Sequence, residues 1–245
     1  MEAIFTDKLF LVMSRLAPVF ISSLGPFRYM PSFVRVVILI VFAMVLTVSG
    51  NIQINATIPF YQQIFSELTF GFGTLFVFVM SFGAILFFGR LVDLQIGFGA
   101  AGVVDPGNKS QEPLLGMAYL TLITLMFFLM NLHTDLFVFW HYSLSVMPLG
   151  SPLGYQWLSQ ALPFLTSIFF IAMVIFAPVI LVLWCVDVTI GVLSKSMPQM
   201  NIYFVALPFK ILLGIATLML VVVPAKAPIE RLFTIMMSHI SGGLL

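Results

Sequence analysis

Charge is what this chain has least of. Only 8% of its 245 residues are Asp, Glu, Lys or Arg, against 61% hydrophobic. A soluble domain carries about a quarter charged residues, so a water-facing globule of this size has too few polar side chains to coat it. The formal net charge of +1 provides no basic field for a nucleic acid or another polyanion. Cysteine is nearly absent as well. The lone Cys185 excludes an intramolecular disulfide, no Cys/His metal spacing occurs, and beside Trp184 in an apolar run it reads as a buried small hydrophobe. Sustained period-two alternation is lacking, which argues against a β-barrel. The N-terminus is not a cleavable signal in appearance: Glu2 and Asp7 offset Lys8, and Arg15 interrupts the apolar run that follows.

What is present is apolar and helical. The mean hydropathy is +1.16, and apolar segments are punctuated by polar or Gly/Pro clusters. The expected helices cover 4–23, 32–49, 58–96, 114–147, 155–194 and 200–223, with a last one over 228–241. This is an all-α membrane protein with about six long apolar segments. One span needs about 20 residues, yet the third, fourth and fifth segments run to roughly 35–40, or about 55 Å if straight. Gly71 and Gly73 in the third, the Asn131, His133, Asp135 and His141 group in the fourth, and Pro163 and Pro178 in the fifth predict kinked, broken or hairpin-like helices that pack on protein. Six simple spans would place both ends outside the cytoplasm, against which Lys226 and Arg231 argue mildly. In the last segment, within 227–245, Ile229, Leu232, Phe233, Met236 and Ile240 share a face. That amphipathic helix suits a membrane surface, a partner or the protein's own core equally.

The segment 97–113 is distinctive. Four glycines and two prolines in 17 residues rule out a regular helix. Its first half, with Phe98, Ala100, Ala101, Val103 and Val104, is apolar. Irregular apolar backbone cannot face lipid with unpaired amides, so the segment belongs enclosed by protein or lining a cavity. A displaceable plug and a plain structural loop both satisfy this requirement. The G-x-G-x-x-G pattern of 97–102 is no dinucleotide site, because it follows a helix-length segment and meets Pro106 and Gly107. No nucleophile–base set stands out, and no phosphate-binding loop is present, so neither an enzyme nor a cofactor is expected.

Charges inside apolar segments ask for partners. Arg90 and Asp93 are three apart and are expected to pair on one face. Asp187 and Lys210 lie about equally far from the turn at 195–199, which makes them candidates for a buried ion pair between antiparallel helices. The 27 Phe and 15 Met residues fill apolar interfaces, and Met adapts to irregular gaps.

From about Gly89 to Val223 an ordered series of blocks stands out: Gln95-Ile96-Gly97-Phe98-Gly99, Val104-Asp105-Pro106, Pro113-Leu114-Leu115-Gly116, Met147-Pro148-Leu149-Gly150, Met197-Pro198-Gln199-Met200-Asn201-Ile202 and Leu207-Pro208-Phe209-Lys210. With Arg15, Pro18, Pro31, Val34 and Arg35 nearer the N-terminus, the series resembles the FliR family of the flagellar type III export apparatus and its SctT-type injectisome homologues. Asp105-Pro106 looks flagellar. The resemblance implies a single FliR-like membrane domain over 1–245, packed with FliP and FliQ in a helical hetero-oligomeric gate in the bacterial inner membrane, within the flagellar basal body. FlhB and FlhA are further implied partners, and unfolded flagellar proteins the cargo. The glycine-rich loop of the family then maps onto Gly97, Phe98, Gly99, Gly102, Val103, Val104, Asp105, Pro106, Gly107 and Asn108 as a pore plug, and Pro198, Gln199 and Asn201 fall in a family motif near a cytoplasmic turn. A secondary transporter remains the alternative of another class; it predicts internal repeats, and none is evident.

Overall fold

The computed structural model describes residues 2–23, 25–49, 52–55, 58–97, 113–151, 155–196 and 202–242. These form helices α1 (Glu2–Ile21), α2 (Ser32–Ser49), α3 (Phe60–Ile96), α4 (Leu114–Leu129), α5 (Leu132–Val146), α6 (Tyr155–Ser196), α7 (Ile202–Val222) and α8 (Lys226–Gly242). Among the described residues the only β pairing is an isolated parallel bridge between Ile54 and Leu149.

The fourth expected segment breaks where its polar cluster lies. Asn131 adopts φ 59, the left-handed conformation that asparagine tolerates better than other side-chain-bearing residues. The axes of α4 and α5 meet there at 65°. The third and fifth segments are not broken into separate helices, since α3 and α6 are helical throughout. Gly71 serves close approach and makes no break: a Cβ there would overlap the Arg15 carbonyl and the Pro18 ring of α1. Pro163 and Pro178 are carried within α6, as prolines are in apolar helices whose surroundings absorb the lost amide bond.

Among the described residues three helices, α2, α3 and α6, are long and apolar enough to cross a membrane, or five candidates if α4–α5 and α7–α8 each count as one bent span, rather than six. The first segment drops out because α1 carries Glu2, Asp7, Lys8 and Arg15 within twenty residues.

The chain divides into two compact units. The first comprises Met1–Gly83, Thr124–Thr166 and Thr234–Leu245. Its core is aromatic: Phe20 stacks on Phe27 with ring centroids 4.7 Å apart and lies 5.4 Å from Trp140, and Phe78 meets Phe127 edge-on at 6.2 Å. The second comprises Ala84–Ile123 and Ser167–Phe233. Here Phe176 of α6 packs between Tyr119 at 4.8 Å and Phe88 at 6.5 Å. The apolar face read in α8 is buried against the protein itself, with Ile229, Leu232, Phe233, Met236 and Ile240 all at most 3% exposed.

Candidate functional site

The two feet of the 97–113 segment lie in the second unit, and both are held tightly. On the outgoing side α3 ends at Gly97, whose φ of +101 suits glycine and whose amide donates to the Asp93 carbonyl at 3.2 Å. On the returning side α4 begins just after Pro113, with Met117 N–H donating to the Pro113 carbonyl at 2.9 Å. The first amides of a helix have no intrahelical acceptor. Asp93 supplies one from the neighbouring helix: its carboxylate accepts from Leu115 N–H at 3.1 Å to each oxygen and from Gly116 N–H at 3.4 Å. The negative charge also complements the positive end of the α4 dipole. Asp93 is therefore not the partner of Arg90, which is exposed. The i,i+3 pairing expected from sequence loses to two amides that a side chain in the interior must satisfy.

Backbone proximity reinforces this clamp. A Cβ on Gly89 would overlap the Gly116 backbone, so α3 and α4 touch main chain to main chain. A third helix closes the base. Leu207 Cδ1 of α7 is 3.1 Å from where a Cβ on Gly97 would stand, Ile96 packs against Gly214, and Tyr119 Oη donates to the Leu218 carbonyl at 3.4 Å. Of the loop residues singled out in the sequence only Gly97 is described. Phe98, Gly99, Gly102, Val103, Val104, Asp105, Pro106, Gly107 and Asn108 lie outside the described residues, as do Pro198, Gln199 and Asn201.

Lys210 Nζ and Asp187 Oδ1 are 2.6 Å apart, linking α7 to α6. The pair is not deeply buried: the Lys210 side chain is 16% exposed and that of Asp187 46%. Cys185 also departs from its expected burial. It is exposed on α6, because the exposed face of an apolar helix needs no polar residue where its surroundings are apolar too.

A charge cluster that the sequence did not single out occupies the core of the first unit. Arg15 Nε donates to Glu67 Oε2 at 2.5 Å and Nη2 to Oε1 at 3.1 Å, while Nη1 donates to Ser143 Oγ at 3.1 Å. Glu67 Oε1 also accepts from Gly150 N–H at 2.7 Å. The guanidinium carbon lies 4.7 Å from the Phe70 ring centroid. Both charged side chains are at most 3% exposed. The network ties α1, α3 and α5 to the 147–150 turn, which Ser66 Oγ also reaches by donating to the Ser151 carbonyl. The signal was available in principle: Arg15 and Glu67 are opposite charges in apolar helices, each requiring a partner.

Comparison with known proteins places these arrangements in context. Residues 7–236 match the family described as bacterial export proteins, family 1. The chain is 29% identical over 162 residues to the flagellar biosynthetic protein FliR of Bacillus subtilis (strain 168), covering 64% of this chain and 62% of that protein. It is 30% identical over 179 residues to the flagellar biosynthetic protein FliR of Escherichia coli (strain K12), covering 71% and 65%. It is 28% identical over 208 residues to the surface presentation of antigens protein SpaR of Shigella flexneri, covering 83% and 80%. The match thus spans less than two thirds of either FliR protein. With a family match over nearly its whole length and an all-helical apolar fold, the chain belongs to the bacterial export proteins, family 1.

Proposed function

We propose that this chain is a structural, non-enzymatic subunit of a type III protein-export gate of the flagellar kind, assembled with FliP and FliQ in the bacterial inner membrane within the basal body. FlhB and FlhA adjoin it in this reading, and unfolded flagellar proteins pass through. Family membership supports the export role, and the names of the Bacillus and Escherichia relatives support the flagellar branch.

The observation that carries the loop's part is the clamp at its feet. Asp93, the Gly89–Gly116 contact and Gly97 fix where the glycine-rich segment leaves and re-enters the helices. A glycine-rich, apolar segment on a fixed base suits a plug that closes a pore by packing. In the assembled complex, deletion of Val103 to Gly107 is expected to raise ion leakage across the membrane. Unchanged leakage with the complex intact would remove the plug.

An injectisome role is the second reading, favoured by the longer match to SpaR. Complementation separates the two: the flagellar reading requires that the chain restore motility to cells lacking FliR and not secretion to cells lacking SpaR.

A further inference from the structure

Two contacts between α6 and α7 in the second unit fall on one antiparallel register. Lys210 Nζ lies 2.6 Å from Asp187 Oδ1. One helical turn further on, a Cβ on Gly214 would come within 3.5 Å of Leu183 Cδ2. Leu183 precedes Asp187 by four residues and Gly214 follows Lys210 by four, so the two contacts are successive rungs of the same ladder.

The same stretch of α7 meets the end of α3. Ile96 Cδ1 fills the space of a Cβ at Gly214. At the next residue, Gly97, a Cβ would stand 3.1 Å from Leu207 Cδ1 and 3.7 Å from Leu207 Cγ. Leu207, Lys210 and Gly214 are spaced three and four apart, which puts them on one face of α7. The face that carries the ion pair therefore also supports the outgoing foot of the 97–113 segment.

Apolar side chains do not fix such a register by themselves. Val182, Val186, Leu193, Ala206 and Phe209 line the groove beside it, and apolar contact is non-directional. Sliding α7 by one residue moves it about 1.5 Å along its axis and turns it by about 100°. That takes Leu207 away from Gly97, while another set of apolar side chains meets α6. A charged pair singles out one alignment, and fixing register is the best-attested use of such a pair in apolar surroundings. Its partial exposure, 16% for Lys210 and 46% for Asp187, spares it the desolvation that the Arg15–Glu67 cluster meets.

We propose that Asp187 and Lys210 are positioning residues: their pair fixes the height of α7 on α6, so that Leu207 stands against Gly97 and holds the foot of the glycine-rich segment. The functional consequence rests on the plug reading, in which a displaced foot lets the closed gate leak.

Hydrogen exchange of the full chain in detergent, resolved to single amides, reads the foot directly, because the Gly97 amide donates to the Asp93 carbonyl at 3.2 Å. Asp187→Asn and Lys210→Met are each expected to speed exchange at Gly97 about two- to fivefold, the range that loss of a partly exposed pair gives. The Leu115 and Gly116 amides, which Asp93 holds, are expected to stay unchanged. Leu207→Ala is expected to act like the single variants with the pair intact. The swap Asp187→Lys with Lys210→Asp restores the pair in reversed polarity and is expected to return Gly97 to the wild-type rate. An unchanged Gly97 rate in the single variants or in Leu207→Ala overturns the proposal. So does a swapped chain as fast as the single variants, or an equal rise at Leu115 and Gly116, which marks general loosening. If the swapped chain does not accumulate, Lys210→Arg, which keeps the charge, is judged in its place: a wild-type rate supports the proposal and a rate like that of Lys210→Met overturns it. In the assembled complex, ion leakage is expected to rise in the single variants, to fall back in the swap, and to gain nothing from Lys210→Met once Val103 to Gly107 are deleted. Leakage unchanged in the single variants while the deletion leaks overturns the functional consequence. A deletion that causes no leakage removes the plug reading instead and leaves the register to the exchange result.

Discussion

Glu67→Gln isolates the physics of the buried cluster in the first unit. The substitution keeps shape and volume while removing the charge, so Arg15 is left ionised among side chains that give it no counter-charge. The native carboxylate accepts from Arg15 at 2.5 and 3.1 Å and from Gly150 N–H at 2.7 Å. An amide offers one acceptor oxygen and turns donors toward donors for the rest. Removing one partner of a buried ion pair costs about 3–5 kcal/mol, or roughly two to three and a half powers of ten in the unfolding equilibrium at about 1.4 kcal/mol per decade. Replacing both charges, Arg15→Met with Glu67→Leu, leaves the Gly150 amide without its acceptor, a cost of about 1–3 kcal/mol. The double variant is therefore expected to be more stable than Glu67→Gln. Reversible unfolding in mixed detergent micelles, followed by far-ultraviolet circular dichroism, measures both. A Glu67→Gln loss below about 1 kcal/mol, or a double variant less stable than the single, refutes the assignment of a desolvated, mutually dependent pair.

Gly89→Ala drives a methyl into the Gly116 backbone and is expected to cost about 1–3 kcal/mol of stability. At Gly214→Ala the nearest atoms belong to the side chains of Ile96 and Leu183, so it should cost less in the same assay. Asp93→Ala removes the acceptor for the first amides of α4, a loss of about 1–2 kcal/mol. Hydrogen exchange at Leu115 and Gly116 should rise about 5- to 30-fold, while core amides of the first unit stay unchanged. Cys185, exposed on α6, should react with a maleimide in the detergent-solubilised chain without denaturant; protection until unfolding would contradict its placement.

Local signals were legible and long-range ones were not. Helix limits followed from apolar runs and their punctuation, to within a few residues, and the break at Asn131 from a polar cluster inside an apolar segment. The apolar face of α8 could be read because five apolar residues share one side, but not that the protein's own core would cover it. The Asp187–Lys210 contact was within reach because few residues separate the end of α6 from the start of α7, so distance along the chain from that connection sets register. Arg15 and Glu67 are 52 positions apart, and no spacing rule connects them. Asp93 was assigned the nearest opposite charge along its helix, yet its true partners are amides 22 and 23 positions away. Gly71 carried a related ambiguity: a glycine in a helix reads alike as a weak point and as a place where another chain segment comes close, and only the neighbour's position decides between them.

How completely each charge is satisfied distinguishes the interior carboxylates of this molecule. Glu67 has three donors on its two oxygens, all supplied by its own unit. Asp93 has amides on both oxygens, again from its own unit. Neither needs anything further, which is what a purely structural charge in an apolar protein must achieve to offset its desolvation. Asp187, joined to Lys210 through one oxygen and 46% exposed, lies outside that interior and carries no such requirement.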